Sequence, residues 1–288
     1  MSKKVVIAGA GAAGLTCAIY LAQAGWQVNV FSGEEEFISC MAESPEMRNY
    51  PGFPDGIAGF DLLDKFTEQA KRQGVRIYPE AISKIDTNSK SVTDSNGAVH
   101  RYDEIVVASG VSPREFKCEG IEKISLHTCA VCDGSVYGKN DSVVVIGGGD
   151  TAVNSALYLS EIVGKVYMIV RKDYLRVTNR VAVEELEKKS NVEIWYKCNV
   201  VSVSDMVDGY HVSEIEWNHD NHWITMDNGD GCCACAIFSC IGYDVNEIET
   251  IGDGKVWKCG DCIERHHQVA VAVGSGANVA LDILGAMS

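Results

Sequence analysis

The chain is short of basic residues, and this shortage argues against two classes of partner. It contains 25 Lys and Arg against 40 Asp and Glu, which gives a formal net charge of −15 at pH 7. A nucleic acid or an anionic membrane would require basic stripes that displace counterions. Any phosphate that the protein binds must therefore be held by backbone amides and a few local cations.

Long apolar runs and prolines are also scarce. No run approaches the roughly 20 residues of a membrane-spanning helix, although 46% of the 288 residues are hydrophobic. With only five prolines, the composition is that of a folded chain and not of a disordered one. Because the first residues lead directly into a strand and a glycine turn, we expect neither a signal peptide nor a membrane segment.

The twelve cysteines lack the pattern of a small secreted disulfide framework. A chain of this length can bury a sizeable core, so we expect most of these thiols to pack as small apolar groups. Scattered cysteines of this kind fit a reducing compartment, and we expect a cytoplasmic protein with one large or two mid-sized domains.

One cysteine pair indicates redox chemistry. Cys129 and Cys132 form a CxxC motif, and Asp133 follows at once. The pair can close a small disulfide ring, and Asp133 could exchange protons with whatever the opened thiols attack. A structural zinc site uses the same spacing but needs a second ligand pair, such as the CxxC formed by Cys259 and Cys262. The nucleotide-binding motifs on either side favour the redox interpretation.

A strand at Lys3 to Ala8 is followed by a GxGxxG turn that opens an apolar helix. The first glycine of such a turn allows a tight bend, the second lets a pyrophosphate approach the backbone, and the third lets helix and strand pack. The helix also presents its positive end to the phosphates. The next strand, Gln27 to Phe31, ends beside Ser32 and Glu34, either of which could bind ribose hydroxyls.

The same pattern occurs a second time. A strand at Asp141 to Ile146 precedes the glycine turn Gly147 to Ala152, and the next strand, Lys165 to Val170, ends in a basic cluster: Arg171, Lys172 and Arg176. A carboxylate at this place binds the free 2′-hydroxyl of NAD, whereas arginines bind the 2′-phosphate of NADP. The cluster therefore favours NADP over plain surface charge, and two complete units imply two dinucleotides.

Other segments predict supporting structure. Helices are expected at Phe60 to Gln73 and Asn179 to Lys189, a hairpin at Asn96-Gly97, and a strand at Ile215 to Trp217. Cys232 to Cys240 is predicted to be one buried strand and not a metal site, because Cys232 and Cys233 would point to opposite faces. We interpret His211, His219 and His222 as surface residues without ligand-like company.

The end of the chain predicts a return to the first sheet. A strand beginning near Val256 leads to Gly260-Asp261, and a helix follows from about Val269 to Ala286. Because two parallel-sheet units precede it, this strand and helix can complete the first sheet. The second domain would then be an insertion in the first.

In their order along the chain, these motifs resemble those of the low-molecular-weight thioredoxin reductases. The resemblance covers nearly the whole sequence and includes Asn49-Tyr50-Pro51-Gly52, Ala108-Ser109-Gly110 and Gly260-Asp261. It implies an α/β fold with two Rossmann-like nucleotide-binding domains, in which the NADPH domain (113–245) is inserted in an FAD domain (1–112 and 246–288). It also implies a homodimer.

The resemblance further implies a route for electrons. NADPH reduces FAD, the flavin reduces the Cys129–Cys132 disulfide, and the dithiol reduces thioredoxin or a thioredoxin-like protein. Cys132 would be the sulfur that faces the flavin, Cys129 its disulfide partner and Asp133 the acid and base. The family rotates its two domains, and we expect the hinge near Ser112 to Glu115 and Tyr243 to Glu247.

The resemblance also assigns the cofactor contacts, and no metal is expected. For FAD these are Gly9, Gly11, Ala12 and Gly14 at the pyrophosphate, Ser32 near the ribose, Asn49 in its loop, Ile82 near the adenine, Asp261 at the ribityl chain, and Gln268 and Val269 at the isoalloxazine. For NADPH they are Gly147, Gly149, Asp150 and Thr151 at the pyrophosphate turn, and Arg171, Lys172 and Arg176 at the 2′-phosphate.

The sequence departs from the family at several places. Ile38-Ser39-Cys40-Met41 replaces a Gly-Gly-Gln-Leu segment that the family places against the flavin. Val170 and Lys172 replace a histidine and an arginine, which predicts a weaker preference for NADPH over NADH. The segment from Gly242 to Asp261 is shorter than in the family, and the final helix is clipped.

Two rival functions follow from the same motifs. One is a relative that takes electrons from another donor, such as ferredoxin, or acts as an oxygen-dependent dithiol oxidase. The retained Gly147 to Ala152 turn, with Arg171 and Arg176, counts against it. The other is a non-catalytic redox sensor that binds flavin or NADP, and the CxxC motif with its adjacent Asp133 counts against that.

Overall fold

The computed structural model describes residues 2–33, 39–44, 46–205, 219–264 and 266–286. The chain divides into two units: unit 1 is Met1–Ser112 with Asp244–Ser288, and unit 2 is Pro113–Tyr243. The strand expected at 215–217 and the predictions made for Glu34, Ile38 and His211 lie outside the described residues. Among the described helices, none combines the length and the apolar character that crossing a membrane requires.

The first part of the chain forms β1 Lys4–Ala8, α1 Ala12–Gln23, β2 Gln27–Phe31, α2 Gly59–Arg72, β3 Arg76–Tyr78, β4 Ile82–Asp86, β5 Ser91–Asp94, β6 Val99–Arg101, β7 Glu104–Val107 and β8 Val111–Pro113. The middle part forms β9 Ser125–His127, α3 Ala130–Asp133, β10 Ser142–Ile146, α4 Asp150–Ile162, β11 Lys165–Val170, α5 Arg180–Glu187, β12 Val192–Tyr196, β13 Val200–Asp205, β14 His222–Met226, β15 Gly231–Ala234 and β16 Ala236–Ser239. The last part forms β17 Tyr243–Val245, β18 Glu249–Ile251, β19 Trp257–Lys258 and α6 Val269–Gly285.

Unit 1 contains a five-stranded parallel sheet in the order β19-β7-β1-β2-β3. Val5, Val6 and Ile7 of the central strand β1 are fully buried, because α1 and α6 pack on one face of the sheet and β4 and β5 pack on the other. α1 packs closely on α6, where a Cβ at Gly276 would lie 2.1 Å from the Ala13 carbonyl oxygen. The predicted return of the chain end to the first sheet is confirmed, because β19 pairs with β7.

A second sheet in unit 1 has the order β18-β4-β5-β6. β5 and β6 form the hairpin predicted at Asn96-Gly97, with Gly97 at φ 82°. The Asp94 carboxylate accepts the Asn96 and Ala98 N–H groups at 3.0 and 2.9 Å. A local side chain thus satisfies the turn amides and fixes the register of the hairpin.

Unit 2 repeats the layered arrangement with a parallel sheet in the order β12-β11-β10-β16-β9. α4 buries Leu159 in a core that includes Met168 of β11 and Phe238 of β16. An antiparallel sheet, β13-β14-β15, forms the rest of the unit. The predicted α/β fold with two Rossmann-like units is confirmed.

The prediction of one buried strand from Cys232 to Cys240 is wrong in one respect. The segment forms two strands, because β15 pairs antiparallel with β14 and β16 pairs parallel with β10. Between them the Cys235 N–H donates to the Ser142 carbonyl at 2.9 Å, and from there the chain joins the parallel sheet of unit 2. Cys232 is buried and Cys233 is half-buried, so these two side chains do diverge as predicted.

The two segments that connect the units, β8 and β17, pair as a short two-stranded sheet. Asn246 ties them further: its Nδ2 donates to the Ser109 carbonyl at 2.9 Å, and its Oδ1 accepts the Ser112 hydroxyl at 2.7 Å. The Ser109 hydroxyl in turn donates to the Asn246 carbonyl at 2.6 Å. The two crossings are therefore fixed to each other where the hinge is expected.

Candidate active site

The predicted cysteine pair is a closed disulfide at the start of α3. Cys129 is the residue before the helix, with an extended backbone at φ −123°. Its sulfur bonds to that of Cys132 across a Cα–Cα distance of 5.4 Å, and the Cys132 N–H donates to the Cys129 Sγ at 3.0 Å. Zinc binds thiolates, which a disulfide does not offer. The redox interpretation of the motif is therefore the one that the geometry supports.

The two sulfur-bearing residues differ in their accessibility. Cys129 is 7% exposed and therefore buried, whereas Cys132 is exposed to solvent. Asp133 is the last residue of the same four-residue helix and its side chain is 40% exposed. The disulfide thus has one accessible side, with a carboxyl group on the same short helix.

A histidine that the sequence did not single out lies beside Asp133. His127 Nδ1 is 3.2 Å from Asp133 Oδ2, and His127 Nε2 is 2.7 Å from the Tyr137 hydroxyl. The His127 ring stacks on Phe238 with centroids 4.9 Å apart. Its position two residues before a CxxC motif was the only signal available, and a single histidine at the end of a strand predicts no particular role.

The first glycine turn has the form that a dinucleotide requires. Gly9 has φ +114°, and a Cβ there would lie 2.1 Å from the Ala108 carbonyl oxygen, so only glycine fits. A Cβ at Gly14 would lie 2.0 Å from the Gly9 carbonyl oxygen. α1 begins at Ala12 after Gly11, with no side-chain cap and no acid in its first turn. Its first N–H groups are therefore available to a phosphate.

Three of the predicted flavin residues from distant parts of the chain have fitting positions. Asn49 Nδ2 donates to Gln268 Oε1 at 3.0 Å, across 219 positions of sequence. Gln268 precedes α6, which starts at Val269 without a side-chain cap. Asp261 Oδ1 is buried and has no hydrogen-bond partner among the described residues. Since a buried carboxylate oxygen without a partner is costly, it fits a ligand hydroxyl, as predicted for the ribityl chain.

Burial raises the pKa of the Asp261 carboxyl group above its ordinary value, against a smaller lowering by His267. At Cys40, where the sequence departs from the family, burial raises the pKa of the thiol to about 12, so this thiol is neutral. The Cys40 S–H donates to the Val111 carbonyl at 3.2 Å. The departure at Cys40 therefore places a protonated thiol, and not a thiolate, in this segment.

Ser32 and Ile82, predicted near the ribose and the adenine, lie around one cluster of side chains. Ser32 comes directly after Phe31, and its hydroxyl donates to the Tyr78 carbonyl at 3.0 Å. Ile82 is 7% exposed and belongs to the same buried cluster as Phe31, against which Tyr78 stacks. The structure thus brings these two predicted residues to one side of β2 and β3.

The second glycine turn also has the expected backbone. Gly147 has φ +144°, and its N–H donates to the Ile169 carbonyl at 3.0 Å. Gly149 is the residue before α4, in which Asp150 and Thr151 form the first turn. The Asp150 carboxylate accepts the Thr178 N–H and hydroxyl, both at 2.9 Å. The structure therefore gives Asp150 a role in holding the loop after β11 against the helix start.

The basic cluster lies next to this turn. The Arg176 N–H donates to the Gly148 carbonyl at 2.6 Å, which fixes the cluster's loop to the glycines. Lys172 Nζ donates to the Tyr174 hydroxyl at 3.1 Å, and the acid within the cluster, Asp173, lies 3.5 Å from Lys197 Nζ. The three basic residues are exposed, and Arg171 and Arg176 have no side-chain partner within the described part of the chain.

The prediction that His219 and His222 lack ligand-like company is wrong. His219 Nδ1 is 3.1 Å from Asp141 Oδ2, with Cys235 in the same group of possible ligands, and His222 Nδ1 is 3.8 Å from Asp205 Oδ1. Long-range folding brings these residues together, which their spacing could not reveal. Asp141 Oδ2 also accepts the Gly138 N–H, and the Cys235 thiol donates to a carbonyl, so both already have protein partners.

Comparison with known proteins gives consistent matches. A family profile described as "Pyridine nucleotide-disulphide oxidoreductase" matches residues 3–252. A thioredoxin reductase of Neurospora crassa is 32% identical, over 98% of this chain and 92% of that protein. Thioredoxin reductase 1 of Saccharomyces cerevisiae is 36% identical over 72% of this chain and 68% of its own length.

Solved structures share the fold. A crystal structure of Lactococcus lactis thioredoxin reductase, in its FR conformation, superposes with a TM-score of 0.83 at 23% identity, covering 99% of this chain and 98% of that one. The thioredoxin reductase of T. acidophilum gives a TM-score of 0.81 at 23% identity, with both chains fully covered. At this identity the likeness concerns the fold alone.

The buried oxygen of Asp261 yields a first testable prediction. Asp261→Leu keeps the size of the side chain but removes the acceptor, so we expect flavin to bind roughly tenfold to a hundredfold more weakly. The measurement is a fluorescence titration of the flavin-free protein with FAD. Asp253→Leu, at an exposed aspartate, is the matched control and should bind FAD like the unmodified protein. Equal affinity for both variants would contradict the assignment.

Proposed function

The chain belongs to the pyridine nucleotide-disulphide oxidoreductase family, and from this premise we propose that it is an NADPH-dependent thioredoxin reductase. The observation that carries the proposal is the Cys129–Cys132 disulfide, closed beside Asp133 in a chain with two dinucleotide-type glycine turns. A non-catalytic binding protein has no need for a reducible disulfide with an adjacent proton carrier. The family membership supports a flavin and a nicotinamide cofactor.

We propose FAD as the flavin of unit 1. The free N–H groups at the start of α1, the buried Asp261 oxygen and the Asn49–Gln268 pair support this assignment. They match the pyrophosphate, the ribityl hydroxyls and the ring end of such a cofactor. When bound, FAD accepts a hydride from a nicotinamide and supplies two electrons to a disulfide.

We propose NADPH as the nicotinamide cofactor of unit 2. Its pyrophosphate would lie at Gly147, Gly149 and the start of α4, where the Thr151 hydroxyl could donate to a phosphate oxygen. Arg171 and Arg176 are exposed, and they pair with no anionic side chain among the described residues, which supports a role in binding the 2′-phosphate. Lys172 packs over the Tyr174 ring and offers a compact ammonium charge. Unlike an arginine guanidinium, it cannot form two parallel hydrogen bonds to a phosphate.

The residues of the motif account for the thiol chemistry. Once the disulfide is reduced, one thiolate attacks a sulfur of the thioredoxin disulfide and releases a thioredoxin thiolate, which takes up a proton. The second enzyme thiol gives its proton to the Asp133 carboxylate and attacks the mixed disulfide, and Asp133 passes this proton to the second thioredoxin sulfur as it leaves. This restores Cys129–Cys132 and releases a thioredoxin dithiol, so that two electrons and two protons are transferred in all.

The partner and the setting are also proposals. The protein substrate is thioredoxin or a thioredoxin-like protein, and the enzyme is a cytoplasmic homodimer in which the domains rotate about the β8 and β17 crossings. The scattered free cysteines support a reducing compartment. The retained second glycine turn and its basic loop disfavour a ferredoxin-type donor or a dithiol oxidase. The intact CxxC motif with its adjacent Asp133 disfavours a non-catalytic redox sensor.

Cys129→Ser tests the role of the disulfide. The variant should bind flavin and be reduced by NADPH as before, because the flavin does not depend on this sulfur, yet thioredoxin reduction should fall to background. Steady-state assays with thioredoxin, and anaerobic spectra of the flavin, measure the two steps separately. Cys118→Ser, at a half-buried free cysteine, is the control and should keep full activity. Retained turnover in Cys129→Ser would remove the motif from the mechanism.

Arg176→Ala tests the nucleotide assignment. Loss of a charge-assisted hydrogen bond to the 2′-phosphate should raise the KM for NADPH roughly tenfold or more and leave that for NADH nearly unchanged. Arg180→Ala, at an exposed arginine in the first turn of α5, provides the control. The assignment fails if Arg176→Ala weakens both nucleotides equally.

A further inference from the structure

We propose that His127 is a positioning residue that holds Asp133 in place and relays protons to it during thiol–disulfide exchange. The proposal rests on the function above, since it assigns a role within the same site. His127 ends the edge strand β9, two residues before Cys129, and pairs with Phe238 of β16. Its ring stacks on the Phe238 ring, so its orientation is set by the core of unit 2.

Both ring nitrogens of His127 are engaged. Nδ1 is 3.2 Å from Asp133 Oδ2 and Nε2 is 2.7 Å from the Tyr137 hydroxyl. Burial raises the pKa of the Tyr137 phenol, so this hydroxyl stays protonated and can donate to Nε2. We infer that the neutral ring then carries its hydrogen on Nδ1, the nitrogen that lies 3.2 Å from Asp133 Oδ2.

The surroundings leave His127 as the basic partner of Asp133. No lysine or arginine pairs with Asp133 among the described residues. The other groups around His127 are Phe238, which is apolar, and Tyr137, which also interacts with Ser125 of β9. On the far side, the Tyr137 ring lies 5.0 Å from that of His219, whose Nδ1 bonds to Asp141. The polar chain that starts at Asp133 therefore continues into the interior through His127 and Tyr137.

This arrangement suits a carboxyl group that must take and give protons repeatedly. The contact with His127 Nδ1 orients Asp133 through Oδ2 and leaves Oδ1 to accept a thiol proton. The imidazole of His127 can take a proton from solvent and later return it. The number of protons held jointly by His127 and Asp133 is then the same before and after the exchange. Asp133 acts on the sulfurs, and His127 acts through Asp133.

The test is thiol–disulfide exchange by the chemically reduced protein, which needs no NADPH. Protein reduced with excess dithiothreitol and then desalted is mixed with a small aromatic disulfide, dithionitrobenzoate, across a range of pH. His127→Phe keeps the stacking on Phe238 but loses both nitrogens. We expect the rate at Cys129 and Cys132 to fall roughly tenfold to a hundredfold and the pH dependence of the rate to differ from that of the unmodified protein.

Conservative and control variants make the test specific. His127→Asn keeps an amide donor near the place of Nδ1 and should restore much of the rate but not the pH dependence of the unmodified protein. His100→Phe removes a histidine with a similar carboxylate contact, to Asp94 in unit 1, and should change neither. An unchanged rate and pH profile in His127→Phe would overturn the proposal. If the unmodified protein reduces the aromatic disulfide in a His127-dependent way but not thioredoxin, the positioning role stands and the proposed function fails.

Discussion

Both units depend on the same constraint, the close approach of a helix to the end of a central parallel strand. At Gly9 and Gly147 the backbone adopts φ values of +114° and +144°, and a neighbouring carbonyl fills the space that a Cβ would need. Each turn therefore starts a helix with its first N–H groups directed away from the sheet. The positions of both proposed nucleotide sites, and the point where the basic loop meets Gly148, depend on these two turns.

Local patterns predicted much of this fold and the motifs of the site. The glycine turns, the CxxC motif with Asp133 and the return of the last helix each have a short-range signature. The change of sheet at Cys235 has none, because an apolar run does not say which strand it will pair with. The pairing of His219 with Asp141 likewise depends on contacts across 78 positions, and spacing alone could not show it.

The site combines a rigid part with a reactive part. The disulfide lies on a four-residue helix, and Phe238 and Tyr137 of the unit 2 core hold the histidine that contacts Asp133. Elsewhere, burial raises the pKa of the Cys17 and Cys235 thiols to about 12, so these two thiols stay protonated and are poor nucleophiles.

The most direct test of the proposed electron route is an anaerobic titration of the flavin-loaded protein with NADPH, followed by oxidised thioredoxin. Visible absorbance reports the state of the flavin throughout. We expect NADPH to bleach the flavin and oxidised thioredoxin to restore its colour. The proposed electron route is contradicted if the flavin absorbance does not change with NADPH but bleaches with a dithiol. Electrons would then enter through the disulfide and not through the second nucleotide site.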